Sequence, residues 1–106
     1  STGKVFVVGA NRQKVLAKNL DYPNGLAVSP NGRWLYVAES FKNRVLKFDI
    51  SDIWNDCEKY TVFADLPKNI SGKDTDNLPD GLTVDTRGNI WVAHYGMGCI
   101  HKYSPD

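Results

Sequence analysis

An all-β chain is the fold class that this sequence predicts, on three observations. Short apolar runs alternate with a two-residue period, Gly, Pro, Asn and Asp separate them, and a repeat of about 50 residues runs through the chain. In chain order, strands are expected over residues 4–8, 14–18, 26–29, 34–39, 44–49, 60–64, 82–85, 90–94 and 100–103. Ser29-Pro30-Asn31-Gly32-Arg33 closes the hairpin between the third and fourth, and Asp85-Thr86-Arg87-Gly88-Asn89 that between the seventh and eighth. Each places Gly where a left-handed residue completes a tight turn. A single short helical turn is expected over residues 51–55, with Ser51 as its N-cap and Trp54 as a packing aromatic.

The repeat aligns Pro23-Asn24-Gly25-Leu26-Ala27-Val28 with Pro79-Asp80-Gly81-Leu82-Thr83-Val84. It continues through Gly32/Gly88, Leu35/Trp91 and Tyr36/Val92. One residue out of step, it resumes at Val45-Leu46-Lys47-Phe48 against Ile100-His101-Lys102-Tyr103. Four short strands in a unit of roughly this length make one blade of a β-propeller with four-stranded antiparallel blades. On that reading residues 1–22 are the end of one blade, 23–66 a full blade and 78–106 most of the next. Blades bury both faces against neighbours, so about two of them leave apolar faces and strand edges open. The chain is therefore expected to be a segment of a larger propeller that self-associates through open blade edges when isolated. Its first residues, which show no initiator Met and no signal-peptide pattern, agree with this.

Composition narrows the function classes. With 106 residues the chain holds a single, partial domain, and 42% hydrophobic with 24% charged residues is globular. A net charge of +1 offers no electrostatic reason for a nucleic-acid partner, and no apolar stretch is long enough to span a bilayer. Without such a stretch or a leader, a cytoplasmic location is favoured. Cys57 and Cys99 lack a neighbouring Cys or His at metal spacing and are read as reduced thiols, at least one of them partly buried. No phosphate-binding loop or nucleophile elbow occurs.

Tyr22-Pro23-Asn24-Gly25-Leu26-Ala27-Val28-Ser29-Pro30-Asn31-Gly32 resembles the senescence marker protein (regucalcin)/gluconolactonase family of six-bladed propellers. Leu78-Pro79-Asp80-Gly81-Leu82-Thr83-Val84-Asp85, then Gly88-Asn89-Ile90-Trp91-Val92-Ala93, strengthens the likeness. The strictosidine synthase-like propellers share the first segment, including Leu35-Tyr36-Val37-Ala38-Glu39, but Asp80 stands where the lactonases carry a metal-binding aspartate. Read physically, Asn24 and Asp80 occupy equivalent places at the start of innermost strands in adjacent blades. An amide oxygen and a carboxylate converging there suit a hard cation. The alternative is two turn residues at strand starts. A turn centred on Arg87 sets Asp80 opposite His94, and Asn24 opposite Ala38. Glu39, His94, Tyr95 and Met97 then stand on the rim of the same pocket, whereas His101 is expected to pack in the core.

The resemblance implies a metal-dependent hydrolase of lactones or related esters. Asn24 and Asp80 would be ligands of Ca²⁺ (or Zn²⁺, Mg²⁺ or Mn²⁺), the remaining ligands lying outside these residues, and the substrate a small lactone or ester. Asp80 is also a possible general base, with His94 as an alternative proton acceptor. Other readings are a non-catalytic, calcium-stabilised binding module and a strictosidine synthase-like enzyme. The polar connection over residues 68–77 is either a lid over the site or a solvated linker.

Overall fold

The computed structural model describes residues 3–54 and 60–106, whose strands form three antiparallel sheets. Strands β1 (Gly3–Val8) and β2 (Gln13–Leu20) pair as a two-stranded sheet. Strands β3 (Pro23–Val28), β4 (Trp34–Glu39), β5 (Arg44–Asp49) and β6 (Tyr60–Asp65) form a four-stranded meander. Strands β7 (Leu78–Val84), β8 (Ile90–Tyr95) and β9 (Cys99–Tyr103) repeat its first three. Every strand expected from the sequence is present, in the arrangement of consecutive propeller blades.

Two apolar layers hold the sheets face to face. Leu35, Val37, Leu46 and Phe48 of the central sheet pack against Val5, Leu16, Ala17 and Leu20 of the first. On the opposite face, Tyr36 and Val45 pack with Leu66 against Ile90 and Val92 of the third. Strand β4 is thus covered on both sides, which explains its unbroken apolar run up to Glu39. Its counterpart β8 has one covered side, so Ile90 and Val92 are buried while Trp91 and Tyr95 are exposed. Phe6 and Val8 are similarly open at the far end of the stack. Each fully buried aliphatic or aromatic side chain contributes roughly 1.5–3 kcal/mol. A single turn or cap contributes about 1 kcal/mol, so stacking dominates the stability.

Strands β3 and β7 start earlier than expected, at Pro23 and Leu78, because each absorbs its Pro-Asn/Asp-Gly motif into a bulge. Pro23 faces Glu39 while Leu26 faces Val37, so Asn24 and Gly25 together oppose Ala38. Likewise Pro79 faces His94 and Leu82 faces Val92, so Asp80 and Gly81 share Ala93. The expected pairing of Asp80 with His94 is therefore corrected: the extra residue in β7 puts Pro79 across from His94. The repeat alignment shifts as well. Val28 pairs with Leu35 and Val84 with Ile90, so the one-residue slip lies in the shorter second turn. Leu35 then corresponds to Ile90, Val37 to Val92 and Glu39 to His94.

In that second turn the Asp85 carboxylate accepts hydrogen bonds from Trp91 Nε1–H, from the Asn89 amide and side chain, and from the Arg87 amide. These donors, Trp91 foremost, lower its pKa to about 2. Residues 51–54 form a short turn where one was expected over residues 51–55, with no helix assigned over them. The Ser51 amide and hydroxyl both donate to Asp49 Oδ1, at 3.0 and 2.7 Å, so Asp49 organises this turn. Asn55 and Cys57 lie outside the described residues. Trp54 packs beneath the Arg12 guanidinium, 3.9 Å from the ring centroid.

Where β3 and β7 approach, Gly25 leaves no room for a side chain. A Cβ there would overlap the Asp80 carbonyl oxygen and come 2.7 Å from the Leu82 amide nitrogen. Gly81, in the equivalent place, faces open space. Gly25→Ala should destabilise the fold by about 1–3 kcal/mol, the usual cost of overpacking against groups that cannot yield. In this chain by itself Gly81→Ala should be nearly neutral, because among the described residues nothing lies against Gly81; urea unfolding of the two variants checks the contrast.

Candidate functional site

The two bulges deliver Asn24 and Asp80 to one cavity of about 320 Å³ between the central and third sheets. Its walls include Tyr22 and Phe41 from the central blade, and Leu78 and Tyr95 from the next. Ser40 lies at its base, buried, its hydroxyl donating to the Pro79 carbonyl oxygen and joining the two blades. Among the described residues, neither the Asn24 nor the Asp80 side chain makes a hydrogen bond or ion pair. Two oxygen donors free of competing partners, one formally charged, fit a hard cation as far as they go; Ca²⁺ takes six to eight oxygens. Among the described residues no group of three His, Cys, Asp or Glu side chains is placed to hold a metal.

Each bulge is held by a buried polar residue at the end of the second strand. Glu39, expected on the pocket rim, is instead fully buried. Its Oε2 accepts the Asp21 amide at 2.7 Å and its Oε1 accepts Arg44 Nε–H at 2.6 Å. It thereby fixes the chain two residues before Pro23. His94 does the same two residues before Pro79. Its Nε2 lies 3.0 Å from Asn77 Oδ1, and its Nδ1 lies 3.0 Å from His101 Nε2. Asn77 is oriented by its own bonds: Oδ1 accepts the Asn69 amide at 2.7 Å and Nδ2 donates to the Lys73 carbonyl oxygen at 2.8 Å. His94 therefore carries its hydrogen on Nε2 and accepts from His101 Nε2–H at Nδ1. Both ring nitrogens are engaged, so His94 is placed as a strut between Asn77 and His101.

A second hollow of about 520 Å³ opens beside the first and shares Asp80 and Tyr95 with it. His94 lines it at the back, with Ala93, Cys99 and Ile100. Met97 lies between Gly96 and Gly98, which line that hollow and take left-handed φ angles of 90° and 68°. Its amide donates to the His94 carbonyl oxygen at 3.2 Å. His101, expected in the core, is instead half-buried within the polar network, and Cys99 is exposed with Sγ 3.7 Å from His101 Nε2. The connection over residues 68–77 is folded onto the site. Asn69 Nδ2 donates to the Gly96 carbonyl oxygen at 2.7 Å, and a Cβ at Gly96 would overlap the Asp76 backbone. Asn77, the most consequential partner of this network, escaped the sequence reading because nothing in a polar run marks which residue becomes buried.

The entire chain, residues 1–106, matches the model of the SMP-30/Gluconolactonase/LRE-like region, and the protein belongs to that family. It is 32% identical over 100 residues to an uncharacterised protein of Sulfolobus acidocaldarius, covering 93% of this chain and 34% of the relative. To a pentonolactonase of Haloferax volcanii it is 29% identical over 84 residues, covering 79% and 27%. The structure is similar to a luciferin-regenerating enzyme (TM-score 0.77, 29% identity, 97% of this chain and 33% of the other). It is equally similar to a calcium-binding protein, regucalcin, from Agrobacterium tumefaciens (TM-score 0.77, 26% identity, 99% and 35%). The chain thus spans about a third of the length of the relatives it matches. No helix among the described residues is long and apolar enough to cross a membrane.

Two outcomes follow from the struts. Arg44→Met leaves the buried Glu39 carboxylate without its cation, and unfolding free energy should fall by about 3 kcal/mol or more. Measured urea midpoints check it. Burial, and next the nearby His101, push the His94 pKa below its ordinary 6.5, while a hydrogen bond with the Asp76 backbone acts in the opposite direction. The folded protein thus binds fewer protons here than the unfolded chain. The stabilisation is intact above about pH 6.5 and declines as pH falls below that value. The urea midpoint should be lower at pH 5.5 than at pH 7.5, and His94→Asn should remove most of the difference.

Proposed function

We propose that this chain supplies part of the active site of a lactone hydrolase, with Asp80 and Asn24 at its centre. The observation that carries the reading is their placement. Two equivalent bulges in adjacent blades bring a carboxylate and an amide oxygen, both without a partner among the described residues, to one cavity, in a chain of the gluconolactonase family. The pentonolactonase relative supports a cyclic ester as the substrate class. The calcium-binding neighbour supports Ca²⁺ as the ion that Asn24 and Asp80 would help to hold. When bound, a divalent cation supplies a positive centre that polarises the ester carbonyl and stabilises the charge developing on its oxygen.

The chain's own residues then have separable tasks. Hydrolysis needs water at the carbonyl carbon, a proton acceptor for that water, and a wall that holds the ring. Asn24 and Asp80 orient the reacting end of the substrate, and Ser40, tied to Pro79, fixes the floor between the blades. Asp80 has two competing uses, because a carboxylate bound to a cation is a weak base. Its first role is ligand and its second is base. His94 acts through Asn77, keeping the approach to Asp80 in place.

Asp80→Asn preserves the size of the side chain and removes its charge. In the intact protein kcat/KM for sugar lactones should fall by roughly 10²-fold or more, with an unchanged circular dichroism spectrum. Chelation should abolish turnover and added Ca²⁺ restore it. Activity within a few-fold of the parent in Asp80→Asn would remove Asp80 from the mechanism.

A further inference from the structure

Tyr22 takes a conformation that a tyrosine rarely adopts. Its φ is 60°, in the left-handed region where glycine or asparagine sits at little cost. Surrounding bonds enforce this conformation. The Tyr22 carbonyl oxygen accepts the Ser40 amide at 3.0 Å, and the Asp21 carbonyl oxygen accepts the Phe41 amide at 3.1 Å. The Asp21 amide is in turn held by Glu39. These contacts explain how the conformation is maintained but not why an aromatic occupies it.

The rings supply the reason. Tyr22 and Phe41 stack with centroids 5.0 Å apart and planes at 27°, yet each remains more than half exposed, at 58% and 62%. Both line the cavity that holds Asn24 and Asp80, and Tyr95, 63% exposed, lines it from the adjacent blade. Phe41 is fixed within a short 3-10 turn, Ser40–Lys42, ended by Asn43 at φ 52° and anchored through Asn43 Nδ2 to the Leu66 carbonyl oxygen. The nearest charges on these segments, Lys42 and Asp21, pair with each other at 3.8 Å. Two rigidly mounted, solvent-facing rings beside a carboxylate and an amide make an apolar plane next to a polar reacting centre. Small-molecule sites commonly combine these two features.

We propose that the Tyr22–Phe41 pair is a specificity-determining platform that takes the flat, C–H-rich face of a cyclic ester and discriminates against open-chain esters. A ring held flat on an aromatic face gains a contact that a flexible chain makes less well and at greater ordering cost. The inference rests on the hydrolase reading above for the identity of the ligand, but not on turnover.

Tyr22→Gly and Phe41→Ala in the intact protein test it. Glycine accepts φ 60° freely, so Tyr22→Gly should keep its melting temperature within a few degrees while losing the ring. Each variant is assayed for hydrolysis of a sugar δ-lactone and of the methyl ester of the corresponding hydroxy acid. Binding of the matching lactam, which resists hydrolysis, is measured by calorimetry. Both variants should raise KM for the lactone and Kd for the lactam roughly three- to tenfold, with kcat and methyl-ester kcat/KM nearly unchanged. Lactone turnover with unaltered KM and Kd in both variants would overturn the platform and leave the hydrolase reading standing. Lactam binding weakened by both variants, without lactone turnover in the parent, would support the platform and overturn the hydrolase reading. No lactam binding by the parent would overturn the platform, and turnover would then decide the other reading. An equal loss toward lactone and methyl ester would also overturn it, since the pair would then act on shape in general and not on the ring.

Discussion

The position of the site depends on one recurring interaction, a buried polar side chain at the end of the second strand that grips the incoming connection. Glu39 grips the Asp21 amide and His94 grips Asn77. Leaving such a group unpartnered in the interior costs several kcal/mol when it is charged, more than a stacked aromatic pair contributes. The connection must therefore enter each blade at a fixed height. Two residues later the Pro-Asn/Asp-Gly bulge begins, and its exposed side chain is presented at the same place in both copies. Asn24 and Asp80 reach one cavity because their supports, not their own contacts, are fixed.

Sheet stacking turns this shared height into proximity. The layer built from Tyr36, Val45, Leu66, Ile90 and Val92 brings β3 against β7. At the point of approach the backbones come so close that only Gly25 is accommodated. Ser40 then bridges the blades through the Pro79 carbonyl oxygen, beneath the cavity floor. Apolar burial supplies most of the free energy of this arrangement, and the short-range polar contacts supply its register. Neither alone would set two side chains from different blades side by side.

Much of this was legible in the sequence, and the parts that were not share a cause. The strands, their antiparallel order and the repeat were visible because two-residue alternation and turn residues are local signals. The run Leu35-Tyr36-Val37-Ala38 marked a strand over residues 34–39, and its lack of alternation is accounted for by burial on both faces. The bulges were not visible, since one extra residue in a strand leaves the alternation on either side intact; hence Asp80 was set against His94 and not against Ala93. Glu39 and His94 share a position in the repeat, but the shorter second turn hid it by shifting the alignment one residue. Asn77 gave no signal at all, and His101 gave a misleading one, since its place in the repeat is that of the buried Leu46. A polar residue becomes a buried partner through tertiary placement, and the residues 68–77 contain several that look alike.

The two copies of the motif hold the same shape with different chemistry, and the difference is informative. In the first copy a carboxylate meets a backbone amide directly and is neutralised by Arg44, so the connection at Asp21 is short and rigid. In the second a neutral imidazole meets a side chain, Asn77, which itself gathers Asn69 and Lys73. That additional link allows a longer connection, residues 68–77, to hang from the strut and lie over the turn at Gly96. The blade frame thus conserves the height of the bulge while leaving the adjoining loop free to vary in length. The rigid copy mounts the Tyr22–Phe41 wall and the elaborated copy mounts Asp80. The fixed wall and the charged centre come from the same repeated device, built once around an ion pair and once around a hydrogen-bond chain.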